Sequence, residues 1–207
     1  MISKKISAIV FDLGNVLLPF DYNVAINKLN QIEPNLGKRF IEFYNSNYYL
    51  HREFEKGIIS EDSFLNKMLD AVEHKITAET FCEIFSDIFT VNENVVSLLP
   101  ELKKNYRLFL LSNTNSIHQE YGWKKYEFLK YFDKLILSHE VKSLKPEEKI
   151  YREIERVSGV SSSEHFYIDD IPEYVDVAKN IGWDAVQFVD YEKLITDLEL
   201  RNIINLK

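Results

Sequence analysis

Four short stretches of this 207-residue chain place groups capable of chemistry directly after apolar runs. The first holds Asp12, followed by Gly14 and Asn15, and the second holds Ser112, Asn113, Thr114 and Asn115. The third is Lys145 before Pro146, and the fourth is the acidic pair Asp169 and Asp170. Brought together, this set suits phosphoryl transfer. A carboxylate can attack phosphorus and form an acyl phosphate, dividing one difficult displacement into two easier ones. The charge that develops on the phosphoryl oxygens needs a metal, a lysine and fixed N–H donors. Hard oxygen ligands from Asp12 and Asp170 suit Mg²⁺, which takes one or two carboxylates and completes its shell with water and substrate phosphate. Backbone N–H groups at a helix start after Ser112 can hold an anion.

Such chemistry needs an architecture that converges the four stretches on one place. Residues 6–11 form an apolar, β-rich run ending at Asp12, which predicts a buried parallel strand. From about residue 94, strand and helix patterns alternate. A helix carrying Val95, Leu98, Leu99 and Leu102 leads into a strand over 106–111, and a helical stretch then runs to about residue 130. A short strand follows over 135–137. The next helix opens at Pro146, shows Ile150, Tyr151, Ile154 and Val157 on one face, and stops at Gly159. A strand over 165–168, a helix over 172–181 ended by Gly182, and a last strand over 185–189 complete the pattern. Alternation of this kind implies right-handed crossovers and a parallel sheet covered on both faces. The expected fold is therefore α/β, a Rossmann-like doubly wound parallel sheet. Ligands of such sheets sit at the carboxyl ends of the strands, where strand order reverses. All four stretches fall at strand ends.

The region between the first two strands has a different texture. It is helical in spacing and rich in Phe and Tyr, with Phe40, Phe43 and Tyr44 in one set. Phe64, Leu65, Met68, Leu69 and Val72 form another, entered through Ser60 with Glu61 and Asp62 in the first turn. Phe81, Ile84, Phe85 and Ile88 form a third, with Thr77 as its N-cap. The expected organisation is an α/β core from residues 1–18 and 95–207, with a helical domain inserted over 19–94. Asp21 reads as the N-cap of the first inserted helix and Asn15 as a turn former. His51, Arg52 and Glu53 read as surface of the insert. His118, His139 and His165 show no metal-ligand spacing.

Composition narrows the classes. Hydrophobic residues make up 45% and charged residues 28%, as in globular chains. The formal charge of −8 argues against nucleic-acid binding, which draws its affinity from a basic surface. The single cysteine, Cys82, excludes an internal disulfide and reads as a buried apolar residue. Lys4 and Lys5 precede a short apolar run, but Asp12 interrupts it, so a secretory signal is not expected. No stretch approaches the roughly 18 apolar residues of a spanning helix. These features point to a cytoplasmic protein, and they do not separate a monomer from a homodimer.

The four segments, in this order, resemble the haloacid-dehalogenase-like (HAD) hydrolase superfamily, and the likeness spans nearly the whole chain. They read FDLGNV over 11–16, LLSNTN over 110–115, KPEEKIY over 145–151 and FYIDD over 166–170. The resemblance implies that Asp12 is the nucleophile and a metal ligand, joined at Mg²⁺ by Asp170 and the main-chain carbonyl of Gly14. Ser112 and the Asn113 amide would hold the phosphate, Lys145 would bridge phosphate and nucleophile, and Asp169 would support the metal shell from behind. The insert corresponds to the helical cap that selects substrates. The wording FDLGNV is similar to a branch that includes an α-glucose-1-phosphate phosphatase and the amino-terminal domains of some epoxide hydrolases. The implied activity is a Mg²⁺-dependent phosphatase for a small phosphorylated metabolite of the sugar phosphate kind.

Two departures from the family pattern stand out. Its second motif-one aspartate, the usual general acid and base, is Gly14 here. General acid–base help is worth about 10²–10⁴-fold, so a substrate with a good leaving group is expected, such as an anomeric, acyl or enol phosphate. A polar residue after the acidic pair is replaced by Tyr174, with Asp176 nearby. Gly14 also keeps open a metal-independent carbon–halogen hydrolase and a catalytically weak phosphate-binding module. Against the former stands the acidic pair, since carboxylates crowded around a carboxylate nucleophile repel without a cation.

Overall fold

The computed structural model describes residues 5–205, so that Lys4 lies outside the described residues. Five strands, β1 (Ala8–Phe11), β2 (Arg107–Ser112), β3 (Lys134–Leu137), β4 (His165–Asp169) and β5 (Asp184–Gln187), form one sheet in the order β3-β2-β1-β4-β5. Every pairing is parallel, with Phe11 beside Leu110 on one side and Ile168 on the other. The chain fills the β3 side first and then returns across β1 to β4 and β5. Strand order thus reverses at β1, and the crevice opens beside the carboxyl end of that strand.

The sheet is buried on both faces, as its apolar strands demand. Ile9 and Phe11 point to one side, with Leu108, Leu110, Phe166 and Ile168, against α6 (Glu93–Val96), α7 (Leu99–Asn105) and α11 (Tyr191–Leu200). Ala8 and Val10 point to the other, where Phe109, Leu111 and Tyr167 meet α9 (Glu148–Ser158) and α10 (Pro172–Asn180), the short α8 (Ser138–Val141) following β3. The two-residue period of an extended chain makes this division.

Three helix expectations are corrected. The single helix expected through Val95 and Leu102 is two, because Pro100 sits in the first turn of α7 and cannot continue a preceding helix. The helix expected from Pro146 begins at Glu148, since residues 144–147 form a turn closed by the Glu147 N–H on the Leu144 carbonyl at 2.7 Å. The stretch to residue 130 holds a wide π-type turn, His118–Trp123, and a 3₁₀ turn, Glu127–Tyr131. At Gly122 a Cβ would lie 2.9 Å from the Phe89 ring, so close approach of the two segments requires glycine there.

Residues between β1 and α6 form five helices, α1 (Tyr22–Ile32), α2 (Leu36–Ser46), α3 (Tyr48–Glu55), α4 (Glu61–Ala71) and α5 (Ala78–Ser86). Asp21, Ser60 and Thr77 cap α1, α4 and α5 through their side-chain oxygens. The helices share a core of their own, including Phe40, Phe54, Phe64, Met68, Phe81 and Phe85, with Cys82 buried among them. Phe54 and Phe64 stack at 4.5 Å. The chain enters and leaves this bundle along two segments that bond each other, Asp21 N–H to Ile88 O at 3.0 Å and Thr90 N–H to Pro19 O at 2.8 Å. Among the described residues no helix is long and apolar enough to cross a membrane.

Candidate active site

Asp12 follows the last residue of β1, where its backbone N–H still bonds Ile168 of β4 at 2.9 Å. Its Oδ1 accepts from the Leu13 N–H at 2.7 Å and lies 2.7 Å from Lys145 Nζ. Lys145, fully buried, also donates to Asp169 Oδ2 at 2.7 Å. Asp169 is engaged on both oxygens. Oδ2 additionally accepts from the Tyr167 hydroxyl, and Oδ1 accepts from the Ile171 N–H at 2.8 Å. Asp170 is half-buried beside them, its Oδ2 accepting from Asn15 Nδ2 at 3.0 Å. Asn15 adopts a left-handed conformation, φ +54°, that asparagine tolerates well. It is both the expected turn former and a partner of Asp170.

The second stretch is tied to the third through side-chain and backbone hydrogen bonds. Asn113 grips the Lys145 backbone, accepting from its N–H at 2.8 Å and donating to its carbonyl at 3.0 Å. Ser112 is buried at the end of β2 with its hydroxyl 3.3 Å from the Asn113 carbonyl, beneath the cleft rather than on its lining. The cleft, about 160 Å³, is lined on the sheet side by Asp12, Gly14, Asn15, Asn113, Lys145 and Asp170. That is below the ~300–1,000 Å³ of drug-sized pockets, and it fits a small metabolite.

Charge in the cleft is unbalanced. Asp12, Asp169 and Asp170 present oxygens within 4.8 Å of one another, against the single ammonium of Lys145. Burial outweighs the pull of Lys145 and pushes the Asp12 carboxyl up to about 8, with Asp169 and Asp170 adding to the rise. Burial likewise raises Asp170. Burial opposes the charge on Lys145, yet Asp12 and Asp169 hold it well above the ordinary lysine range. With all three carboxyls ionised the cluster would carry two negative charges beyond the ammonium, all on hard oxygen donors, and the raised Asp12 and Asp170 show the cost of that state without a cation. Such a set fits a divalent cation of the magnesium kind. Asp12 and Asp170 would hold it, because Asp169 is occupied by Lys145, Tyr167 and Ile171.

Across the cleft stand residues of the helical insert that the sequence reading placed elsewhere. His51 is buried and not at the surface, Glu53 is half-buried, and Arg52 lines the cleft with Glu55 and Tyr48. Glu55 belongs to the same wall, although nothing but helical spacing marks it in the sequence. It follows His51 by four residues and Arg52 by three, so one helical face carries all three groups. That spacing was the available signal. Glu55 lies 3.2 Å from His51 Nε2 and 3.1 Å from Arg52 Nη1. Burial would raise its carboxyl, but His51 and Arg52 hold it below the usual carboxylate range. His118 is pushed down to about 3 by burial and is neutral.

The sequence profile described as haloacid dehalogenase-like hydrolase matches residues 9–188. The chain belongs to the haloacid dehalogenase-like hydrolases. It is 26% identical over 190 residues to a D-ribitol-5-phosphate phosphatase of Bacteroides thetaiotaomicron, covering 88% of this chain and 91% of that protein. It is 23% identical over 188 residues to a phosphorylated carbohydrates phosphatase of Thermotoga maritima, covering 86% of this chain and 83% of the relative. A HAD family enzyme of Bacteroides thetaiotaomicron, solved as a magnesium complex, superposes with a TM-score of 0.76 at 26% identity. That match covers 92% of this chain and 98% of the other.

Both departures from the family pattern have a physical setting here. A Cβ on Gly14 would stand 3.2 Å from Cε1 of Phe20, so an aromatic edge crowds the place a side chain would leave from. Phe20 itself lines the cleft. Tyr174 also lines it, with its ring 5.1 Å from Lys145 Nζ and its hydroxyl 3.4 Å from Asn113 Nδ2. Asp176 is exposed and outside the cleft lining.

Proposed function

We propose that this chain is a Mg²⁺-dependent phosphoric monoester hydrolase for a small phosphorylated carbohydrate, acting through an aspartyl-phosphate on Asp12. The observation that carries the reading is the Asp12–Lys145–Asp170 arrangement at the strand-order reversal. Leu13 and Lys145 both bond Oδ1 of Asp12, which leaves Oδ2 as the attacking oxygen. The phosphatase relatives and the magnesium complex of the similar enzyme support the same reading.

Asp12, Asp170 and the Gly14 carbonyl would hold Mg²⁺, which when bound neutralises the phosphoryl oxygens and keeps Asp12 ionised. Asp12 Oδ2 adds to phosphorus as the ester P–O bond breaks, and the departing alkoxide takes its proton from water, because residue 14 offers no acid. Water then adds to phosphorus, Asp12 is released and inorganic phosphate leaves. Lys145 balances charge on Asp12 and the phosphoryl group throughout. Asn113 and Asp169 fix Lys145 from its backbone and its ammonium. The Asn113 N–H would contribute to the phosphate cradle, and Ser112 would reach the phosphate only by turning its hydroxyl from the Asn113 carbonyl toward the cleft. Residues 1–18 and 95–207 form the catalytic core in this reading, and residues 19–94 form the cap.

Carbon–halogen hydrolysis would need the nucleophile alone and would leave Asp170 without a task. The test is phosphate release from a panel of anomeric and primary sugar phosphates, with Mg²⁺ or EDTA. Turnover is expected only with the metal and is expected to vanish in Asp12→Asn. Undiminished turnover in that variant, or in EDTA, would refute the proposal.

A further inference from the structure

The cap wall of the cleft has chemistry that the phosphate does not use. Glu55 is 7% exposed, yet it lines the cleft opposite Asp12 and Asp170. Its Oε1 faces His51 Nε2 at 3.2 Å, and its Oε2 accepts from Arg52 Nη1 at 3.1 Å. A carboxylate offers about four lone-pair sites, so about two remain. Arg52, half-buried, reaches the Lys145 carbonyl with Nη2 at 3.4 Å and keeps further N–H groups. The arrangement is seated on the core by a second contact of the same region, Lys56 Nζ to Glu147 Oε1 at 2.5 Å. Tyr48, Tyr174, Phe20 and Ile171 supply the remaining sides.

Resting on the phosphatase reading above, we propose that Glu55 and Arg52 select substrates whose tail is uncharged and carries neighbouring hydroxyl groups. Carboxylate acceptor and guanidinium donor, side by side, match the alternating donors and acceptors of a polyol or sugar chain. The pair is internally neutral, so it offers no net attraction to a second phosphate, a carboxylate or an amine. A second phosphate would in addition meet the buried Glu55 carboxylate. A hydroxyl-free tail would leave both groups unpaired, which a site built to bond hydroxyls penalises. The wall thus separates monophosphates of sugars and polyols from bisphosphates and from alkyl phosphates.

The test compares D-ribitol 5-phosphate with n-pentyl phosphate, two primary esters of equal charge and similar length, and adds a pentose bisphosphate. With the full chain and Mg²⁺, kcat/KM is expected to favour the pentitol ester over the other two by at least about 100-fold. In Glu55→Gln and Arg52→Gln the pentitol-to-pentyl ratio is expected to fall about 10- to 100-fold. Thermal melts identify a Glu55→Gln protein that fails to fold, and the less buried Arg52→Gln then carries the comparison. Equal losses on both esters, or a parent enzyme without preference, would overturn the assignment of these residues while leaving the phosphatase reading intact. Absence of turnover on every ester would overturn both.

Discussion

Replacing Lys145 by Met removes the ammonium that Asp12 and Asp169 share at 2.7 Å each, while keeping an unbranched chain of similar length. Removing one partner of a buried ion pair costs about 3–5 kcal/mol, because the charge left behind is uncompensated. Whole domains are stable by only about 5–15 kcal/mol, so the loss is a large share. At about 2–4 °C per kcal/mol for chains of this size, the expected fall in Tm is roughly 6–20 °C in EDTA. Met also removes the pull that restrains the Asp12 carboxyl, whose burial already pushes it up to about 8. The variant therefore keeps Asp12 protonated to higher pH, and a protonated Asp12 has less need of a cation. The fall in Tm is accordingly expected to be smaller at pH 5 than at pH 9. Calorimetric melts of parent and variant at both pH values, in EDTA, measure this. A variant melting within about 2 °C of the parent at pH 9 would refute the claim that Lys145 offsets the carboxylate cluster.

The same cluster gives the parent a pH signature. Burial pushes the native Asp12 carboxyl up to about 8 from the ordinary 3.8, so between these values the folded state holds a proton that an unfolded chain has lost. Stability in EDTA is expected to fall as pH rises through that window, by at most about 1.4 kcal/mol per pH unit for this group. Added Mg²⁺ should restore stability at pH 8 much more than at pH 5, and melts that respond equally at both would contradict this. Gly14→Asp is expected to give no gain in activity alone, because its Cβ would press on Phe20 at 3.2 Å. Gly14→Asp with Phe20→Ala opens that space and should raise kcat on primary alkyl phosphates by about 10²-fold, the low end of acid–base help. An unchanged double variant, correctly folded, would show that the missing acid does not limit the reaction.

The sequence by itself determined the sheet and the position of the chemistry on it. Apolar runs ending in Asp12, in Ser112 and in Asp169 with Asp170 mark β1, β2 and β4, because a polar group directly after a buried strand must emerge at its carboxyl end. The caps at Asp21, Ser60 and Thr77 were legible for a similar reason, since each depends on a side chain and an N–H two or three residues away. The tertiary structure decided what those local rules do not contain. The resemblance gives Asn113 a part in holding phosphate, but that its side-chain amide also clasps the Lys145 backbone, 32 positions later, comes only from the folded chain. Asp169 and Asp170 are adjacent in sequence, yet alternation along a strand turns one inward to Lys145 and leaves the other on the rim with Asn15. Arg52 reads as surface of the insert and Glu55 carries no signal beyond its helical spacing, and only the packing of that helix against the α/β core makes them a wall of the cleft. Local patterning fixes which way a side chain leaves its own element. What it then meets depends on the partner element, which here lies from 24 residues away, for Lys145 and Asp169, to 155, for Asn15 and Asp170.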